Sequence, residues 1–177
     1  CYLGYCGKHI VLFSRRYAIE GDVDNSTQVV HRDKLTPEGK LNLGSIDVRN
    51  IQTVAGDWYG SLLAVVDKGD VNELYRWTDP YEAPELIGTT TVDITPFVGD
   101  SEDCGNNVQV AGDLTTDAYI TAQAPRSADG EHYLLTVSGG KLSSDVTVLS
   151  TGYDSSDTGG WQMISLATDK VPCEEPD

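Results

Sequence analysis

The stretch VAGDWYGSLLAVV, Val54–Val66, has an echo at Val110, where the chain again reads VAGD and runs on as VAGDLTTDAYITAQA. Each copy is followed by a loop and then by an apolar run. Val54 and Val110 stand 56 residues apart. A signature that returns with the same kind of segment behind it marks an internal repeat. In that reading Val54 and Val110 end the first strand of successive units. Gly56 and Gly112 let the chain turn sharply, and Asp57 and Asp113 accept hydrogen bonds from backbone amides of the turn. The competing reading makes Asp57 and Asp113 ligands around a central channel; an Asp in a Gly-Asp turn is more often a local cap.

Outward from the echo, helical periodicity is nearly absent. Short runs rich in Val, Ile, Thr, Tyr and Leu alternate with Gly, Asp, Asn, Ser and Pro, the pattern of an all-β chain. Strands are expected near 8–16, 27–32, 41–47, 51–55, 61–67, 73–78, 85–92, 107–111, 118–124, 132–138, 146–151 and 161–167. Each unit then holds four antiparallel strands, which is the make-up of a β-propeller blade. The units fall at about 7–55, 56–111 and 112–167, in one all-β repeat domain. Cut this way, the chain starts at a second strand and ends after a first one, Trp161–Ala167. Closed propellers have ~4–8 blades, so the expectation is a part of a longer propeller, completed by its remaining blades or by neighbouring subunits.

The chain has 177 residues, 12 of them basic and 28 acidic, for a formal charge of -16. Such a surface repels phosphates and anionic lipids, so neither nucleic acid nor insertion into a membrane is expected. No apolar window is long enough to cross a membrane as a helix. The chain opens at Cys1 without an initiator Met, as a processed product or a fragment does. Cys1, Cys6, Cys104 and Cys173 lie near the ends or in polar loops. Their spacing is poor for zinc, so they read as disulfide candidates of an oxidising compartment.

The order GDWYGSLLAVVDKGDVNELYRWTDPYEAPELIG, then VQVAGDLTTDAYITAQAP and YLLTVSGGKL, resembles secreted bacterial β-propeller-like proteins of uncharacterised function. The resemblance covers roughly residues 45–165. It rests on a Gly-Asp turn, a Leu-Leu strand and a Tyr-x-Trp strand followed by Pro, in that order across two units. It implies a β-propeller, export and residence at the cell surface or outside the cell, the periplasm included. It brings no catalytic residues with it.

Candidate sites follow from residue chemistry. No G-x-S-x-G occurs, and His9, His31 and His132 sit in separate expected strands, so a nucleophilic triad has no support. With so many carboxylates, some pair will meet glycosidase spacing by chance. Asp22, Asp24 and Ser26 alternate in an oxygen-rich stretch, the opening rhythm of a calcium loop without its Gly or distal Glu. Asn25-Ser26-Thr27 is a glycosylation acceptor triplet. Trp58, Tyr59, Tyr81 and Tyr153 are loop aromatics, suited to stacking on sugars or to protein contacts. Tyr75 and Trp77 share a strand face and are expected to pack between units. The resulting reading is an extracellular, non-catalytic module that binds a protein or glycan through loops on one rim. A carbohydrate-active enzyme on the same scaffold and a structural subunit of an extracellular assembly are its alternatives.

Overall fold

The run Leu62–Val66 is buried at every position, although a strand with one wet face would alternate. The reason is two neighbouring layers. Leu62, Ala64 and Val66 belong to one core cluster, while Leu63 and Val65 belong to a second. This strand therefore lies in a middle sheet that is covered on both sides.

The structure, a computed structural model, describes residues 2–92, 94, 108–123 and 132–149. The described strands are β1 (Tyr2–Cys6), β2 (His9–Phe13), β3 (Thr27–His31), β4 (Pro37–Gly39), β5 (Ile51–Gly56), β6 (Leu62–Asp67), β7 (Asn72–Trp77), β8 (Glu85–Thr90), β9 (Val108–Gly112), β10 (Ala118–Gln123), β11 (His132–Ser138) and β12 (Lys141–Leu149). They form three four-stranded sheets, β1–β4, β5–β8 and β9–β12, each ordered along the chain with antiparallel neighbours. The fold is all-β.

The first core lies between the first and second sheets and joins Tyr2, Cys6, Val11, Phe13 and Val29 to Val54, Leu62 and Trp77. The second joins Ala55, Leu63, Leu74 and Ile87 to Val110, Ile120, Leu135 and Val137 of the third sheet. On β7, Trp77 is buried in the first core and Tyr75 packs against it, as the shared strand face suggested. The indole N–H of Trp77 donates to the carbonyl of Asn42 at 2.7 Å, so its polar edge is satisfied.

Glycines set how closely the sheets approach. A Cβ on Gly56 would lie 2.7 Å from the backbone N of Tyr5 and 3.0 Å from Cα of Gly4. Gly56 is thus needed for contact between β1 and β5, with no left-handed φ involved. Its echo differs: Gly112 has φ 97, and a Cβ there would meet the carbonyl oxygen of Asp117 at 2.6 Å. One motif serves two purposes, sheet approach in the first copy and a turn in the second.

Several expectations need correction. The first unit does not lack its first strand, because β1 supplies it. The three units are in phase, each one whole sheet, beginning at Tyr2, Ile51 and Val108. The segment expected as a strand over 8–16 ends at Phe13 and turns into a helix, α1 (Arg15–Glu20), closed by Gly21 at φ 75 and followed by α2 (Val23–Ser26). Arg, Ala and Glu favour that helix, and the glycine ends it. Arg15 anchors it by donating to the carbonyl of Ile51 at 2.9 Å and to Gln52 Oε1 at 2.8 Å. Residues 41–47 are not a strand. Leu41 and Ile46 are plugged into the first core from a loop, and the fourth strand is the short β4 before them. The expected strand at 161–167 lies outside the described residues.

Candidate functional site

The turns joining β1 to β2, β5 to β6 and β9 to β10 lie at one end of the three sheets, and backbone groups stitch them together. Gly7 N–H in the first turn donates to the carbonyl of Gly60 in the second at 2.6 Å. Asp57 links the second to the third. Its Oδ1 accepts the amides of Tyr59 and Ser61, both at 2.8 Å, and its Oδ2 accepts the amide of Leu114 at 2.9 Å. Asp57 is 2% exposed. Burial pushes its carboxyl above the ordinary carboxylate range, the three amides oppose that, and nearby Asp113 adds to it. With both oxygens engaged, Asp57 is a cap and not a channel ligand. Asp113 caps its own turn in the same way, Oδ1 accepting the amide of Thr115 at 2.8 Å and its hydroxyl at 2.6 Å.

These caps hold two aromatics outward on a fixed turn. Trp58 is 76% exposed and Tyr59 is also exposed. The third connection of the second sheet, residues 78–84, reaches the same end, since a Cβ on Gly7 would meet the Thr78 carbonyl oxygen at 3.1 Å. It carries exposed Tyr81, which meets the His9 ring edge-on at 5.3 Å. His9 Nε2 lies 3.1 Å from Glu38 Oε2. His9 and His31, on separate strands, are register partners in one sheet, their rings 6.0 Å apart. His31 Nδ1 accepts the amides of Asp33 and Lys34, which puts the proton of the neutral ring on Nε2. Partial desolvation, then the carboxylates of Glu38 and Asp79, hold the Tyr81 hydroxyl above its ordinary pKa.

On the other side of Tyr59 lies an open cleft of about 560 Å³, lined by Asp113, Thr116, Asp117, Tyr119, Thr136 and Ser138 among others. The end of the molecule is thus an aromatic and acidic surface running from Tyr81 past Trp58 and Tyr59 to Asp113. Three of the four loop aromatics considered from sequence lie here; Tyr153 lies outside the described residues. Sequence reasoning missed His9, Glu38 and Asp117 as their neighbours, because only strand register brings them in.

The calcium set resolves into a helix cap. Asp22 Oδ1 accepts the amide of Asn25 at 3.1 Å and its Oδ2 accepts the Asn25 side chain at 2.7 Å. Ser26 is buried and donates to the carbonyl of Val23. Among the described residues no group of three His, Cys, Asp or Glu side chains is placed to hold a metal. Asn25, the glycosylation candidate, is exposed, and Thr27 of its triplet is buried with its hydroxyl accepting the amide of Leu41.

Cys6, one of the four disulfide candidates, is instead a free thiol, fully buried on the inner face of β1. Cys1, Cys104 and Cys173 lie outside the described residues. Burial, then the charge of Asp79, pushes the Cys6 thiol up to about 12. Iodoacetamide is therefore expected to leave Cys6 unmodified in the folded protein at pH 8 and to modify it once denaturant is added. Peptide mass mapping checks this, and rapid native labelling of Cys6 would contradict the packing of β1.

Neither family models nor curated proteins match this sequence. Among solved structures, the chain is similar to a DUF4623 family protein from Bacteroides eggerthii DSM 20697, with a TM-score of 0.55 and 19% identity. The match covers 83% of this chain and 34% of that one. This chain therefore spans about a third of that neighbour's length. At such identity the likeness concerns the fold.

Proposed function

We propose that this chain belongs to a β-propeller-like, extracellular and non-catalytic protein that binds a protein or glycan through the loops at one end of its sheets. Each sheet is one blade in this reading. Its support is the side-by-side packing of β1, β5 and β9 as first strands, with whole four-stranded sheets following in chain order. The greater length of the solved neighbour agrees with a larger assembly of such sheets, and further blades or neighbouring subunits would cover the outer faces.

The observation that carries the binding role is Trp58, 76% exposed on a turn closed by a buried cap. An exposed indole gains little for the fold, and rigid aromatics lose little entropy when they are covered by a ligand. Acidic neighbours and the overall charge favour a neutral glycan or a basic protein segment over an anionic one. The test is titration with neutral β-glucan, xylan and mannan oligosaccharides, and pull-down with basic peptides, following Trp fluorescence. One class is expected to saturate the wild type, and Trp58→Ala to weaken it roughly tenfold or more while changing stability by less than about 0.5 kcal/mol. Unchanged binding in Trp58→Ala and Tyr81→Ala together would remove this end as the binding surface. Turnover of a glycan that is lost on a single Asp→Asn change would replace the binding role with an enzymatic one.

A further inference from the structure

The two copies of the repeated turn use their aspartates differently. Asp57 commits both oxygens to the fold, on the amides of Tyr59, Ser61 and Leu114. Asp113 closes its turn with Oδ1 alone. Among the described residues, no hydrogen bond or ion pair engages its Oδ2, the carboxylate of Asp117, or the hydroxyls of Thr116 and Thr136. Asp117 serves the turn only through its backbone carbonyl, which accepts the amide of Asp113 at 2.9 Å.

All four residues line the cleft of about 560 Å³ beside Tyr59. That volume falls within the roughly 300–1,000 Å³ of small-molecule sites. Two exposed aromatic rings share the same concavity, Tyr59 from the turn of the second sheet and Tyr119 from β10, where it pairs with Thr136 of β11. Carboxylates alone would be a solvated turn. Here they stand with two rings and two hydroxyls around one space. A sugar ring uses all three kinds of group: its C–H faces stack on aromatics, and its hydroxyls donate to carboxylates and exchange hydrogen bonds with other hydroxyls. A cationic segment would use the carboxylates alone, and ion pairs with an exposed group such as Asp117 contribute little. An acidic or sulfated sugar would be repelled.

We propose that this cleft is a binding site for a neutral oligosaccharide, with Tyr59 and Tyr119 stacking on sugar rings and with Asp113 and Asp117 accepting from sugar hydroxyls. The inference rests on the reading of this end as a binding surface. It chooses glycan over protein as the ligand class, and it places the polar contacts in the cleft beside the Trp58 turn.

Calorimetric titration of the full chain with neutral β-glucan, xylan and mannan oligosaccharides tests this. One of them is expected to saturate the wild type, with an affinity that changes less than about twofold between about 0.05 and 0.5 M salt. Tyr119→Ala is expected to weaken it roughly tenfold or more, and Tyr119→Phe, which keeps the ring, by less than about twofold. Asp117→Asn and Thr136→Val are expected to weaken it roughly three- to tenfold each. Melting temperatures within about 2 °C of wild type show that the variants are folded. Saturation by none of the oligosaccharides would overturn the proposal, and so would binding indifferent to Tyr119→Ala, Asp117→Asn and Thr136→Val. If such indifferent binding is still weakened by Trp58→Ala, this end remains the binding surface and only the cleft is removed from it. Basic peptides that bind in place of the glycans, with an affinity falling steeply as salt rises, would assign this end to a protein partner and overturn the glycan.

Discussion

Gly56→Ala is expected to destabilise the protein by about 3 kcal/mol, and to lower the melting temperature by about 6–12 °C. The added methyl would sit 2.7 Å from the backbone N of Tyr5 and 3.0 Å from Cα of Gly4. Both obstacles are backbone, so no side chain can rotate away. The first sheet must move off the second, and Cys6, Phe13 and Trp77 lose contact as it does. An ordinary Gly→Ala change in a strand would instead be neutral or mildly stabilising, because alanine restricts the unfolded chain. Gly69 provides the contrast of open space, with nothing within 4 Å of its Cβ position, although its φ of 88 adds a backbone cost of its own. Thermal denaturation checks the effect, and a loss below about 1 kcal/mol would show that the two strands are not in backbone contact.

Asp57→Ala is expected to cost about 4 kcal/mol, since it strips acceptors from three amides at once. Tyr59 and Ser61 lose the atom that closes their turn, and Leu114 loses its partner across the sheets. Asp57→Asn separates the two parts. It keeps an acceptor for the turn and turns an amide N–H toward Leu114, so roughly half of the loss is expected. Urea unfolding of both variants measures the division. If water entered the turn and replaced the carboxylate, Asp57→Ala would cost less than about 1 kcal/mol. If Asn matched wild type, the link to Leu114 would carry no energy.

The all-β class and most strands were legible because apolar runs and turn residues agree along the chain, most clearly at Leu62–Asp67 and Asn72–Trp77. β1 escaped because Tyr-Leu-Gly-Tyr-Cys has a glycine at its centre and no β-branched residue. That glycine is there for Gly56, which only the folded pair of sheets reveals. β4 escaped because Pro-Glu-Gly reads as a turn. The apolar spacing of 41–47 reads as a strand, whereas Leu41 and Ile46 enter the core from a loop, followed by Val48 from a short 3-10 turn. At the candidate site, the loop aromatics could be picked out by residue type. The His9–Glu38 pair and the reach of Asp57 to Leu114 depend on register and on the packing of separate sheets, which local pattern does not encode.

β6 has no outward side. Leu62, Ala64 and Val66 serve one core and Leu63 and Val65 the other, so the middle sheet is a party wall between two rooms. Removing either neighbour would expose half of that strand to water, and the remaining core would lose its rigid backing. Damage at one interface therefore reaches the other without a chain of intermediates between them. The two cores should melt in a single transition, with unfolding spreading inward from the outer sheets, and the centre of the stack should be the last part of the molecule to open.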